Sequence, residues 1–388
     1  MWRGVACLGV LVFHSAQYAL FTYNGDWDTR PVAGALSPLL ELVRHGREGV
    51  TLFFVISGYC IAAAVDSARR KESPVARYFA RRIRRIYPPY WIALGLTIVL
   101  VTATAMAGFG WTFAQRLGPT NDIPLPHTLT AAQWLGNITL TETWRSNIFA
   151  TSSLAFVLGQ AWTLCYEEQF YAVCGLILWL CPRRMFAAAA VVSLLTAIAY
   201  AYPSPYFIGT FLDGRWCIFA IGIGVYYTIN YQGARSRIVL AMFLLTIAVL
   251  AKAGPAPHFA REFVFASLFG IVLLGLHPWD ARIASVPALR PLRFCGTICY
   301  SLYLVHWPVA KLVSHGTYLA GLTSPEMILF VATPIGIVSS IGAGALFHRH
   351  VERRFLNTPS PVLDRDGTPA ARRGVDQRQA TGDIVGVA

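Results

Sequence analysis

Apolar residues run along this chain in blocks of roughly 18 to 24, separated by short polar connections, and the blocks recur almost from end to end. A helix rises 1.5 Å per residue, so each block is long enough to cross a hydrocarbon core of about 30 Å. Ten spans are predicted, at 2–20, 48–66, 86–107, 158–181, 185–201, 207–229, 236–253, 259–276, 295–314 and 325–347. The fifth is the shortest, and the sixth carries Asp213 and Arg215. The expected fold is all-α, a polytopic transmembrane helical bundle of about ten spans.

The polar connections decide the orientation. The stretch 66–85, DSARRKESPVARYFARRIRR, holds eight Lys and Arg against two acidic residues, which predicts a cytoplasmic position by the positive-inside rule. Every second connection from there is also basic (182–184, 234–237, 280–293 and 348–354), whereas 21–47, 108–157, 202–206, 254–258 and 315–324 are close to neutral. Both termini are therefore expected in the cytoplasm, with the chain in a bacterial-type inner membrane. The first block begins at residue 2 without an Ala-x-Ala cleavage site, so it is expected to be a retained span. The net charge of +13 would suggest nucleic acid in a soluble protein, but here the charge alternates by loop, which argues against such a partner.

Composition agrees with the pattern: 55% of residues are hydrophobic, 13% are charged and the mean hydropathy is +0.51, where a soluble domain has about 25% charged residues. Residues 1–357 are expected to form one membrane domain, and the polar, aromatic-free 358–388 a disordered cytoplasmic tail. The long connection 108–157, with Trp134 and Trp144, is expected to be an ordered outer loop with one or two short helices. No internal repeat is visible, which weakens an inverted-repeat transporter. The eight cysteines lie within or at the ends of apolar blocks without CxxC or Cys/His spacing, and read as small buried hydrophobes; no metal site is expected.

Polar residues inside such spans are expensive and mark function by default. Four groups stand out. Arg3 and His14 are the charged or titratable side chains of the first span; eleven residues at 100° each return them to nearly one face, roughly 16 Å apart along the axis. Glu167 and Glu168 enter the fourth span at a similar depth, and because neighbours on a helix point about 100° apart, at most one faces His14. An ion pair with an arginine elsewhere is the bland account of both. In the ninth span Tyr300, Tyr303 and His306 share a broad face with Ser301 beside them, where packing, or a carbonyl freed by Pro308, competes with substrate binding. At the mouth of the third span, Arg82 and Arg85 are i, i+3 and share a face suited to phosphate, against the plainer roles of topology and lipid contact.

The pieces RGVACLGVLVFH, GREGVTLFFVISGYCIA, YFARRIRRIYPPYW, AWTLCYEEQFY, YSLYLVHWPV and VERRF, in this order, resemble the acyltransferase 3 family of membrane O-acyltransferases over about residues 2–356. The resemblance implies functional positions at Arg3, His14, Arg82, Arg85 and Glu167 or Glu168. It implies transfer of an acyl group, most simply acetyl, from cytoplasmic acyl-CoA to a hydroxyl of a surface polysaccharide, lipid-linked sugar or similar acceptor. On that reading the arginines hold the donor, His14 with Glu167 or Glu168 carries the chemistry, and Tyr300, Ser301 and His306 hold the acceptor or the oxyanion. Two departures from the family pattern are expected, an Arg3 with no cytoplasmic arm before it and no SGNH-type esterase domain after the tenth block. The competing class is a proton-coupled transporter or flippase for a glycan or lipid, with the same His and Glu relaying protons.

Overall fold

The computed structural model describes residues 1–24, 36–71, 73–107, 123–149, 153–231, 233, 237–238, 240–245, 249, 257–322 and 324–356. Half of the expected seventh span, the whole of the expected tail and most of 108–130 fall outside the described residues. Among the described residues every regular element is helical.

Helix α1 (Trp2–Asn24) is followed by α2 (Ser37–Arg44), α3 (Gly49–Ala68) and α4 (Pro74–Met106). Two short helices, α5 (Ala131–Thr139) and α6 (Glu142–Phe149), occupy the long connection. Then come α7 (Trp162–Leu180), α8 (Met185–Ala201), α9 (Arg215–Asn230) and α10 (Pro257–Leu276). The chain closes with α11 (Asp280–Ser285), α12 (Arg290–Thr297), α13 (Cys299–Leu319) and α14 (Thr333–His350), the last preceded by a π-helical turn, Ile328–Ala332. Five helical stretches among the described residues are long and apolar enough to cross a membrane: 37–68, 74–106, 182–201, 259–285 and 328–354; α1 contributes a shorter apolar stretch, 2–16.

Three boundaries differ from the hydropathy pattern. The basic stretch before the third apolar block is not a loop: α4 runs unbroken from Pro74 through Pro88 and Pro89 to Met106, so Arg82 and Arg85 sit on a rigid helix. The helix of the expected sixth span, α9, starts at Arg215 rather than 207, because Pro205–Phe207 and Phe211–Asp213 are 3-10 turns and Gly214 is in the left-handed region (φ 104°). The expected ninth span is broken at Ile298, dividing α12 from α13.

Close approach of backbones decides the packing around α3. A Cβ on Gly58 would run into the Phe219 carbonyl, and one on Gly222 into the Val55 carbonyl, so α3 and α9 cross through paired glycines, as small residues allow in lipid. The middle of α4 then serves α5. Tyr87, Tyr90 and Trp91 donate to the carbonyls of Thr139 (3.3 Å), Asn137 (2.6 Å) and Ile138 (3.0 Å), satisfying groups that a helix C-terminus leaves without partners. A Thr130/Gln133 capping box starts α5, and a buried Arg145–Glu142 pair at 2.6 Å fixes α6. This ordered cap sits over the N-terminus of α7, which carries the acidic pair.

Candidate active site

A cavity of about 1160 Å³, part of it open to solvent, lies among α1, α3, α4, α7 and α13. Each helix contributes one face with helical spacing: Arg3, Val10 and His14 from α1; Phe53, Ser57 and Cys60 from α3; Arg82, Arg85 and Ile86 from α4; Thr163, Glu167 and Tyr171 from α7; Tyr300 and Tyr303 from α13. Two arginine-bearing helices and an acid-bearing one thus converge on a single space, although their polar residues are far apart in sequence.

The basic groups are held individually. The Arg3 guanidinium donates from Nη2 to Cys60 Sγ at 3.2 Å. That of Arg82 lies over the Tyr171 ring (5.0 Å) and near the Tyr78 ring (5.9 Å), and is 9% exposed. Its Nη2 is buried with no hydrogen-bond partner, an orphaned donor that suits an anionic ligand. Arg3, Arg82 and Glu352 all lie within electrostatic reach of Arg85. In contrast, Arg81 and Arg84 face outward and are exposed, so of the basic run on α4 only the Arg82/Arg85 face reaches the cavity.

The 100° separation of the acidic pair is resolved here. Glu167 lines the cavity, accepts from the Tyr171 hydroxyl at 2.6 Å and lies in the field of Arg82 and Arg3. Glu168 does not line it and turns toward Tyr87. His14 lines the same cavity, but the ring beside it is not a carboxylate: His306 lies at 5.3 Å between centroids, and Trp307 at 4.6 Å edge-on.

The three α13 candidates separate. Tyr300 lines the cavity and donates to the Ile86 carbonyl at 2.8 Å, joining α13 to α4. Ser301, fully buried, does not reach the cavity: its Oγ and backbone N–H both donate to Glu352 Oε2, at 2.5 and 3.2 Å. His306, 2% exposed, lies behind His14 rather than on the cavity wall. The carbonyl of Leu304, freed by Pro308, is taken by Gln160 Nε2 at 2.9 Å, so Gln160 rather than His306 does this work.

Glu352 and Gln160 are cavity residues that sequence reasoning passed over. Glu352 is buried, takes three hydrogen bonds on Oε2 including one from His348 (2.9 Å), and caps the first turn of α13. Its signal was the acid in VERRF, isolated among arginines. Of the cysteines all are buried except Cys181, which is exposed at the end of α7. Among the described residues no three His, Cys, Asp or Glu side chains cluster to hold a metal.

Comparison with known proteins places this helical membrane chain in the acyltransferase class. The acyltransferase domain pattern (acyltransferase 3) matches residues 1–349, and the chain belongs to that family. It is 28% identical over 330 residues to the exopolysaccharide production protein ExoZ of Rhizobium meliloti, covering 80% of this chain and 90% of that one. It is 23% identical over 347 residues to the O-acetyltransferase OatA of Staphylococcus aureus, covering 80% of this chain and 50% of OatA. No solved structure matches the chain.

Proposed function

We propose that the protein is a membrane O-acyltransferase that takes an acyl group, most simply acetyl, from acyl-CoA on the cytoplasmic side and transfers it to a hydroxyl of a surface polysaccharide, lipid-linked sugar or similar acceptor. The observation that carries this reading is the single cavity shared by three arginines, His14 and Glu167. A nucleotide-bearing donor needs forked, charged donors for its phosphates, which Arg82, Arg85 and Arg3 supply, and Arg82 has an unpartnered buried Nη2 to offer. Glu167 and Tyr171 hold the arginine cluster in place and moderate its charge. A polysaccharide acceptor agrees with the name of the exopolysaccharide production protein ExoZ, and acetyl with that of the O-acetyltransferase OatA.

The chemistry is a balanced acyl transfer. His14 takes the proton from the acceptor hydroxyl as general base, and the oxygen attacks the thioester carbonyl. A C–O bond forms, the C–S bond breaks, and the leaving thiolate takes the proton from His14 to become the free thiol. With both termini cytoplasmic, donor and acceptor enter from opposite faces, and Tyr300 and Tyr303 lie where an acceptor hydroxyl meets the thioester. Membranes incubated with labelled acetyl-CoA test the reading: label should pass into a glycan or lipid fraction. A transporter or flippase would leave all label in the donor.

A further inference from the structure

The histidine behind His14 has its tautomer set by the backbone. Nδ1 of His306 lies 2.8 Å from the Tyr303 carbonyl and 3.1 Å from the Leu302 carbonyl. Carbonyl oxygens only accept, so Nδ1 carries the hydrogen. Nε2 is then a bare lone pair, and it is buried with no hydrogen-bond partner on a side chain that is 2% exposed. A buried acceptor left open is costly and calls for an explanation. The neighbour that supplies one is His14, whose ring centroid is 5.3 Å away with the planes tilted by 41°. An N–H···N bond of about 3 Å plus roughly one ring radius at each end spans that distance.

We propose that His306 is the positioning residue of the catalytic histidine: its Nε2 accepts the ring N–H of His14 once the acceptor hydroxyl engages the other nitrogen. The inference rests on the reading of His14 as general base. The arrangement follows the logic by which a base is oriented by a third group, with imidazole in place of the usual carboxylate. Such bonds are often long in the ligand-free state and tighten when substrate binds. Glu167, whose hydrogen bond goes to Tyr171, serves the arginines instead. Trp307, edge-on to His14 at 4.6 Å and packed against Gly159, keeps the ring from swinging away.

Two isosteric substitutions separate this role from a purely structural one. His306→Asn keeps an amide N–H in the place of Nδ1 and deletes the Nε2 lone pair. His306→Gln keeps an acceptor in the place of Nε2 and loses the anchor to the carbonyls. Each is purified with the wild-type, His306→Ala and His14→Ala proteins, its melting temperature recorded, and its transfer from labelled acetyl-CoA measured. In H306N, kcat falls about 10- to 100-fold with the donor KM unchanged and melting near wild type. H306Q recovers part of the activity lost in H306A, and His14→Ala combined with H306N is no worse than His14→Ala alone. Wild-type activity in H306N, or an H306Q no better than H306A, overturns the proposal. If H306N does not accumulate, the comparison of H306Q with H306A decides alone. A wild-type protein that transfers no label, or an active His14→Ala, would instead refute the functional reading beneath it.

Discussion

Replacing Arg82 by Ala is the sharpest test of how the cavity holds its donor. The guanidinium is 9% exposed, lies 5.0 Å from the Tyr171 ring and has an unpartnered buried Nη2, so it is desolvated before any ligand arrives. A hydrogen bond from such a cation to a phosphate contributes about 1.5–3 kcal/mol. At about 1.4 kcal/mol per tenfold, the donor KM should rise roughly 10- to 150-fold. Phosphates are distant from the thioester, so this binding is uniform between ground and transition states and kcat should hold. Arg82→Lys should recover only part, because a point charge replaces the fork. The assay compares acetyl-CoA with acetyl-pantetheine, which has the thioester but not the nucleotide. R82A should lose its disadvantage with the truncated donor. A KM for acetyl-CoA that does not move, or an equal rise for both donors, would refute phosphate binding and leave Arg82 as a packing partner of Tyr171.

His14→Ala should reduce transfer by about 100- to 10,000-fold while membrane abundance holds, as read by label transfer and immunoblot; activity within a few-fold of wild type would remove His14 from the mechanism. Ser301→Ala should lower the melting temperature in detergent, because it removes one of three donors to a buried carboxylate, at about 1–3 kcal/mol; an unchanged melting temperature with a raised acceptor KM would return Ser301 to the substrate site. Gly58→Val should impair folding, since its side chain meets the Phe219 carbonyl, whereas Gly95→Val, with nothing within 4 Å, should be tolerated; equal melting curves would contradict the α3–α9 crossing. In a cysteine-less background, single cysteines at 131–149 should react with an impermeant thiol reagent from outside and those at 74–81 only after permeabilisation; the reverse pattern would invert the orientation.

Hydropathy and motif order were sufficient to identify an all-helical membrane chain and its family, because lipid forces the backbone to satisfy itself within each span and so writes length and polarity directly into the sequence. Helical period also placed Arg3 with His14, and Arg82 with Arg85, on shared faces, and allowed only one of Glu167 and Glu168 to face the site. Which one it is depends on the rotation of α7, set by packing against α3 and α4. Only the tertiary structure chose Glu167, withdrew Ser301 into the grip of Glu352, and put His306 behind His14. The partners of these groups lie 51 residues away for Ser301 and Glu352, and 143 and 144 for Gln160 and the carbonyls of Tyr303 and Leu304. No local period encodes contacts of that range. They form only once α13 packs against α14 and against the turn that precedes α7, because neither partner lies within a helical repeat of the other.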